Sequence, residues 1–432
     1  MSIVGKTNNP NSAPLTCVSL MVTAIFLVAC ADTEKKSQSN QNGYDNRARE
    51  TIAHAQQDEA LYQDRFVRLG EVFSKGKKFT SVYDSLIGVE GVESPVDLPI
   101  AAAPILSDTV RTAAIDYAEK MNSSVFIVMK AGEIVLEEYF GEDNAKTLLN
   151  SKSLAKPLGV ISVGRAIKLG HIKSLDQPVS DFITEWVGTP KEEITVRHLL
   201  GMRSGLQHQI NDPSPEHVIN RAYLHPRHDE IIINEYPLIN KPGARYDYSN
   251  ANAELVAPLI ERATGVRYNE WVSNEVIQKI GAPGGEIWLN REGGVAHAGC
   301  CVLLPAQTYA RLGLLVLQNG NWQGNQLLPT NYVAEMRKAA PDNENVGLGL
   351  YLGQPFKEKR GYQNPDLDLF PVYHSAPYKF DDLVLFDGNS NQVAYLSEKN
   401  EVLILRMGNT PPRERPWDNA FLPNILFDDL VN

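Results

Sequence analysis

Residues 150–157 read Asn150-Ser151-Lys152-Ser153-Leu154-Ala155-Lys156-Pro157. Leu154, Leu158 and Ile161 recur at i, i+4 and i+7, and Gly170 stops the pattern, so the spacing predicts a core helix from Ser153 to residue 169. On a helix, positions three apart share a face, with Cβ atoms about 5–6 Å apart. The Ser153 hydroxyl then sits beside the Lys156 amine. Serine is a poor nucleophile at neutral pH, and a lysine takes its proton only where desolvation or a neighbouring cation lowers its pKa. A buried helix start can meet both conditions. Pro157 costs about 3 kcal/mol inside a helix but little in the first turn, where its missing N–H bonds nothing. At the edge of that turn it can displace Lys156.

A second Ser-x-x-Lys, Ser74 to Lys77, lies in a basic polar run with a central glycine and no apolar face, and reads as solvated chain. The other stretch of interest is Tyr246-Asp247-Tyr248-Ser249-Asn250. It follows the turn Lys241-Pro242-Gly243 and opens a helix carrying Leu255, Leu259 and Ile260. A tyrosine at such a junction can face a cleft, and beside a lysine cation its pKa falls, so Tyr248 could act as a general base. Tyr-x-Asn also occurs at Tyr44 to Asn46 and Tyr362 to Asn364, in surroundings without a helix start.

The chain has 432 residues, 43% hydrophobic and 22% charged, enough for one large or two medium domains. A formal net charge of −11 and the lack of a basic stripe argue against nucleic acid as a partner. Lys6 precedes an apolar run from Val18 to Ala29 that has the length of a secretory h-region. It ends Leu27-Val28-Ala29-Cys30, which resembles the bacterial lipobox; that resemblance implies lipidation of Cys30, with an ordinary signal peptide or an uncleaved anchor as alternatives. Ala31 after Cys30 resembles an outer-membrane address, which places the protein in the bacterial cell envelope facing the periplasm. Residues 31–50 then form a polar tether.

Cys17 lies in the leader. Cys300 and Cys301 are adjacent, and a bridge between neighbours is strained, so two packed thiols are expected, with a vicinal disulfide open in an oxidising compartment. His225-Pro226-Arg227-His228 is the only close histidine pair in the sequence; no carboxylate or thiol joins it, and it reads as loop surface. No metal site is expected. A helical pattern with Phe66, Leu69, Val72 and Phe73 covers 51–74, and residues 75–110 read as irregular. A helix is expected over 108–120, then a hairpin of 124–129 and 133–136 around Lys130-Ala131-Gly132. Thr195 caps a short helix in which His198 is structural, ended by Ser204-Gly205.

The segments from Asn150 to Trp186, "ITVRHLLGMRSGL" (194–206), "PGARYDYSNANAELVAPLIERATG" (242–265) and "YARLGLLVLQNGNWQGNQLL" (309–328) together resemble the serine β-lactamase-related hydrolases. These include class C β-lactamases, D,D-peptidases and their esterase and amidase relatives, and the resemblance covers roughly residues 120–410. It implies an α/β (α+β) fold in which a mainly antiparallel sheet is flanked by helices. A mostly helical subdomain completes it, with the active site between the two. The expected division is leader 1–30, tether 31–50, N-terminal helical extension 51–120 and hydrolase domain 121–432. A third motif on a late strand is implied as well, and Phe386-Asp387-Gly388 is the candidate. With Asn389-Ser390-Asn391-Gln392 after it, the stretch resembles the branch related to nylon-oligomer amide hydrolases.

By this resemblance Ser153 is the nucleophile, Lys156 and Tyr248 handle protons, and Asn250 orients substrate or lysine. The amides of Ser153 and Asn389 form the oxyanion hole, with Gly388 allowing close approach. Phe386 and Asp387 would meet the substrate where relatives carry a cation. Phe386 cannot bind a carboxylate and Asp387 would repel one, a loss of about 1.5–3 kcal/mol. The expected substrate is therefore a small neutral or cationic ester or amide, cleaved through an acyl-enzyme without cofactor or metal. A silent binding lipoprotein on the same scaffold, and a true β-lactamase or D,D-carboxypeptidase, are the alternatives.

Overall fold

The computed structural model describes residues 53–75, 78–360, 371–414 and 416–431. The leader with Cys17 and Cys30, the tether, Lys77 and the Tyr-x-Asn copies at 44–46 and 362–364 lie outside the described residues. The chain divides into two units, residues 1–60 and 61–432. Of the first, residues 53–60 are described and are helical. All that follows concerns the second.

The β-rich runs on either side of Gly132 pair as the expected hairpin. Helix α1 (Asp108–Lys120) leads into β1 (Ser123–Lys130) and β2 (Glu133–Tyr139), turning at Ala131 and Gly132, both with positive φ. Helices α2 (Ala155–Lys168), α3 (Val256–Thr264) and α4 (Ala306–Leu317) follow. Strands β3 (Tyr351–Leu352), β4 (Val384–Gly388), β5 (Gln392–Ser397) and β6 (Val402–Gly408) precede the last helix, α5 (Phe421–Val431). The main sheet has the order β2-β1-β6-β5-β4-β3, antiparallel throughout.

Successive strand residues point to opposite faces, and here both faces are covered. Val125, Ile127 and Met129 of β1 join a core with Leu158 and Ile161 of α2 and Leu312 and Leu315 of α4. Phe126 and Val128 face the other way, onto Ala114 and Ala118 of α1 and Leu422 and Leu426 of α5. A second antiparallel sheet joins Leu86–Val89, Gly285–Trp288, Val302–Leu304 and Leu149–Asn150. Its last strand delivers the chain to Lys152. The short strand Leu86–Val89 falls in the stretch read as irregular; four residues paired with a distant segment leave no periodic signal. Between the hairpin and α4 most of the regular elements are short helices, so the antiparallel sheet, flanking helices and helical region match the expected α+β fold. Among the described residues no helix is long and apolar enough to cross a membrane.

Residues 61–75 and 78–83 act as a packing arm. Tyr62, Val72, Val82 and Tyr83 bury themselves against Leu224, Trp288 and Leu303. Arg65 is fully buried there. Its Nε and Nη2 donate to Asp84 at 2.9 and 2.5 Å, and Nη1 donates to the carbonyl oxygens of Leu224 (3.0 Å) and Asn290 (2.8 Å). One guanidinium thus ties the arm to two remote segments. Arg65→Ala removes the donor of two buried carbonyls and leaves the Asp84 carboxylate to Arg68 and Trp288 alone, and the expected loss is about 3 kcal/mol in urea unfolding. A loss below about 0.5 kcal/mol, the range of ordinary surface changes, would show that the arm is held by its apolar contacts alone.

Candidate active site

Asn150, at the end of a two-residue strand, accepts the Lys152 N–H on its Oδ1 at 3.1 Å and so bends the chain. Lys152 has φ 49°, an unusual value for a residue with a Cβ. The 3-10 turn Lys152–Leu154 then runs straight into α2. Ser153 therefore sits on the turn before the α-helix rather than inside it. Pro157 is the third residue of α2, where no N–H bond is lost, and it does not displace its neighbour.

Lys156 is buried, and its ammonium has three acceptors: Ser153 Oγ at 3.0 Å, Asn250 Oδ1 at 3.0 Å and the Gly299 carbonyl at 2.9 Å. Tyr248 Oη lies 2.8 Å from Ser153 Oγ, and the lysine nitrogen stands 5.0 Å from the centre of the tyrosine ring. Asn250 Nδ2 donates to Gln209 Oε1 at 3.2 Å, and Gln209 N–H donates to the Tyr248 carbonyl at 2.7 Å. Ser153, Lys156, Tyr248 and Asn250 thus meet in one hydrogen-bonded cluster. Gln209 and Gly299 belong to it too. The sequence carries no signal for either, since one acts through a side-chain amide and the other through its carbonyl.

Gly388 ends β4 against the serine turn. A Cβ built on it would stand 2.9 Å from Leu154 N, 3.2 Å from Ser153 N and 3.3 Å from the Ser151 carbonyl. Only a residue without a side chain lets the strand approach this closely. Asn389 follows at the exposed strand end.

Phe386 and Asp387 do not face the cluster as expected. Both faces of β4 are covered, so alternation drives Phe386 into the core beside α2. Asp387 points the other way and is buried against Arg360, whose Nη2 donates to its Oδ2 at 2.6 Å. Burial raises the Asp387 carboxyl, and the Arg360 charge opposes that shift. The repulsion of anions expected from Asp387 therefore falls away, because its charge is already matched.

Lys152, beside the serine, places its ammonium 3.2 Å from the centre of the Phe79 ring, and burial lowers its pKa to about 7. His198 has the structural role expected of it: Thr195 and His198 form a reciprocal cap. That helix ends at Leu200 with Gly201 as its cap, earlier than Ser204-Gly205.

Two further expectations are overturned. Cys300 and Cys301 form a vicinal disulfide rather than two thiols, their Cα atoms 3.7 Å apart. His225 and His228 are not loop surface. His228 opens the helix His228–Asn234 and is fully buried with His297 and Glu254, and His225 is buried as well. The pairing of His228 with residues 26 and 69 positions later along the chain (254 − 228 and 297 − 228) is invisible in sequence spacing.

A family model for Beta-lactamase matches residues 110–421. The 6-aminohexanoate-dimer hydrolase of Paenarthrobacter ureafaciens is 25% identical over 248 residues, 54% of this chain and 62% of that protein. The match thus spans under two thirds of that relative. Among solved structures, a Bacillus anthracis protein provisionally named 6-aminohexanoate-dimer hydrolase superposes with a TM-score of 0.62 at 18% identity, covering 78% of this chain and 88% of that one. EstCE1, described as a hydrolase with promiscuous acyltransferase activity, gives 0.55 at 16% identity, over 75% and 97%. These likenesses extend to the fold, an antiparallel sheet with flanking helices of the β-lactamase and transpeptidase kind. With the family model matched over well beyond half of its length, the chain belongs to the Beta-lactamase family.

Proposed function

We propose that this protein is a serine hydrolase that cleaves an ester or amide of a small neutral or cationic substrate through an acyl-enzyme on Ser153. The observation that carries this reading is the bridge of Ser153 Oγ between Lys156 Nζ at 3.0 Å and Tyr248 Oη at 2.8 Å. An ammonium has three N–H donors and no acceptor. Lys156 has three acceptors around it, so it holds the serine oxygen by donation, and the serine proton is directed to Tyr248. Tyr248 Oη, acting as the base, then takes that proton as Ser153 Oγ bonds to the substrate carbonyl carbon. The same phenol returns it to the departing alcohol or amine, and repeats both steps with water to release the acyl group.

Charge that develops on the carbonyl oxygen would be met by the N–H groups of Ser153 and Asn389. The close approach of Gly388 to Ser153 N supports this pairing, and each such donor is typically worth about 3 kcal/mol. The preference for neutral or cationic substrates rests on the motif resemblance: Phe386 takes the position at which the hydrolases this chain resembles carry a cation, and, buried in the core, it offers no charge to a substrate carboxylate. The names of the relatives, an aminohexanoate-dimer hydrolase and an acyl-transferring hydrolase, support amide or ester cleavage. Export and a lipid anchor on Cys30 in the outer membrane are proposed from Leu27-Val28-Ala29-Cys30 and the residues around it, and a vicinal disulfide is compatible with an oxidising compartment.

Ser153→Ala should abolish labelling by a fluorophosphonate probe and lower kcat for a nitrophenyl ester by about 10⁴-fold or more. Labelling that survives removes Ser153 as nucleophile. Wild-type protein without a nitrophenol burst supports a binding scaffold instead, and nitrocefin turnover supports a β-lactamase. Tyr248→Phe keeps the ring but not the proton acceptor, with an expected loss of about 10²–10⁴-fold in kcat and little change in stability. Gly388→Ala should cost about 10²-fold in kcat, since the added methyl pushes the strand off the serine turn. For the anchor, Cys30→Ser should move the protein from the membrane to the soluble fraction and end incorporation of labelled palmitate. Unchanged membrane retention and labelling would rule the anchor out.

A further inference from the structure

Behind the catalytic cluster lies a group of buried side chains that the hydrolysis does not use. His228 Nε2 and His297 Nδ1 stand 3.7 and 3.5 Å from one oxygen, Glu254 Oε2. Both ring nitrogens of each histidine, and that oxygen, are buried without a hydrogen-bond partner. Five such atoms in one side-chain cluster are a heavy desolvation cost, since each unpaired buried polar group typically costs about 1–3 kcal/mol. Burial drives both histidines towards the neutral imidazole and raises the Glu254 carboxyl.

We propose that His228, His297 and Glu254 form a binding site for one divalent transition-metal ion of the zinc type. The donor spacing is the main argument. Zinc takes imidazole nitrogen and carboxylate oxygen at about 2.0–2.2 Å, which sets tetrahedral neighbours about 3.4 Å apart. The 3.5 and 3.7 Å separations are long for hydrogen bonds and close to that figure, and the three donor atoms all lie within 4.8 Å of one another. Two imidazoles and one carboxylate suit zinc among common divalent ions and leave a fourth position open. Trp288 stacks on His297 at 4.1 Å between ring centres and supplies an apolar wall. His228 and His297 themselves stack at 4.2 Å with an interplanar angle of 12°. Because the rings lie near-parallel, both nitrogens reach one ion only if a ring turns about its Cβ–Cγ bond, a soft torsion in histidine.

The site has a structural consequence for the cleft. Glu254 also accepts the backbone N–H groups of Ala298 and Gly299, and the Gly299 carbonyl receives Lys156. An ion on Glu254 and His297 would pin the strand of chain that holds the lysine. This proposal does not depend on Ser153 chemistry, and its test uses the Ser153→Ala chain so that the two can fail separately.

That chain is unfolded and refolded with excess Zn²⁺ or Co²⁺, with the disulfide intact, then dialysed against buffer. One equivalent of zinc should remain, and the cobalt form should show the intense visible bands of a four-coordinate ion. His297→Gln and Glu254→Gln, checked for native far-UV circular dichroism, should bind at least about 10²-fold more weakly. Folded variants that keep the metal as tightly as the parent overturn the site. Should the variants fail to fold, the parent decides: bands and one retained equivalent support the site, and their absence overturns it.

Discussion

Three segments far apart in the chain are held together by a single ammonium group. Lys156 rises from the first turn of α2, Asn250 from the start of a second helix, and Gly299 from the approach to a strand. All three N–H donors of this buried group find oxygens, as a buried polar group requires. Ser153 is one of those oxygens, and Tyr248 reaches it from the opposite side. The serine is therefore oriented before any substrate arrives, which is the condition for an efficient attack.

The rest of the structure serves to keep that meeting in place. The two-residue strand ending at Asn150 is anchored to Val302–Leu304, and the Ser151 N–H donates to the Val302 carbonyl at 2.9 Å. From the main sheet, Gly388 presses against the same turn. Behind the lysine, Glu254 and the Cys300–Cys301 bridge flank Gly299. Glu254 is buried and accepts the Gly299 N–H, and the bridge follows Gly299 directly along the chain, next to the carbonyl that receives the Lys156 amine. Polar groups so placed are costly and define one arrangement of the loop.

Much of this was readable from local pattern. The hairpin at 123–139 and the helix at 108–120 follow from β-rich alternation around a glycine turn and from helical spacing, both short-range signals. The meeting of Ser153, Lys156, Tyr248 and Asn250 was also legible, because the lysine lies one turn from the serine and the second motif opens a helix. Substrate-side residues were read less well. Phe386 and Asp387 sit on a strand whose two faces are both covered, and a strand string alone does not say which face borders a cleft. Arg360, which neutralises Asp387, comes from 27 residues earlier and gives no sequence sign of doing so.

The chain of amino acids by itself pointed to Ser153, Lys156 and Tyr248 as candidate nucleophile, amine and phenol, and to the sheet and helices that carry them. Ser153 and Lys156 lie three residues apart, which spacing specifies directly, whereas Tyr248, 95 residues from the serine, entered through its own motif and the family resemblance. Only the tertiary structure decided that a histidine from a Pro-Arg-His run would lie buried against Glu254 and His297, that adjacent cysteines would be bridged, and that a backbone carbonyl at 299 would take the lysine's third hydrogen bond. Each of these depends on packing between remote segments, where burial changes what a polar group needs and no local pattern records the partner.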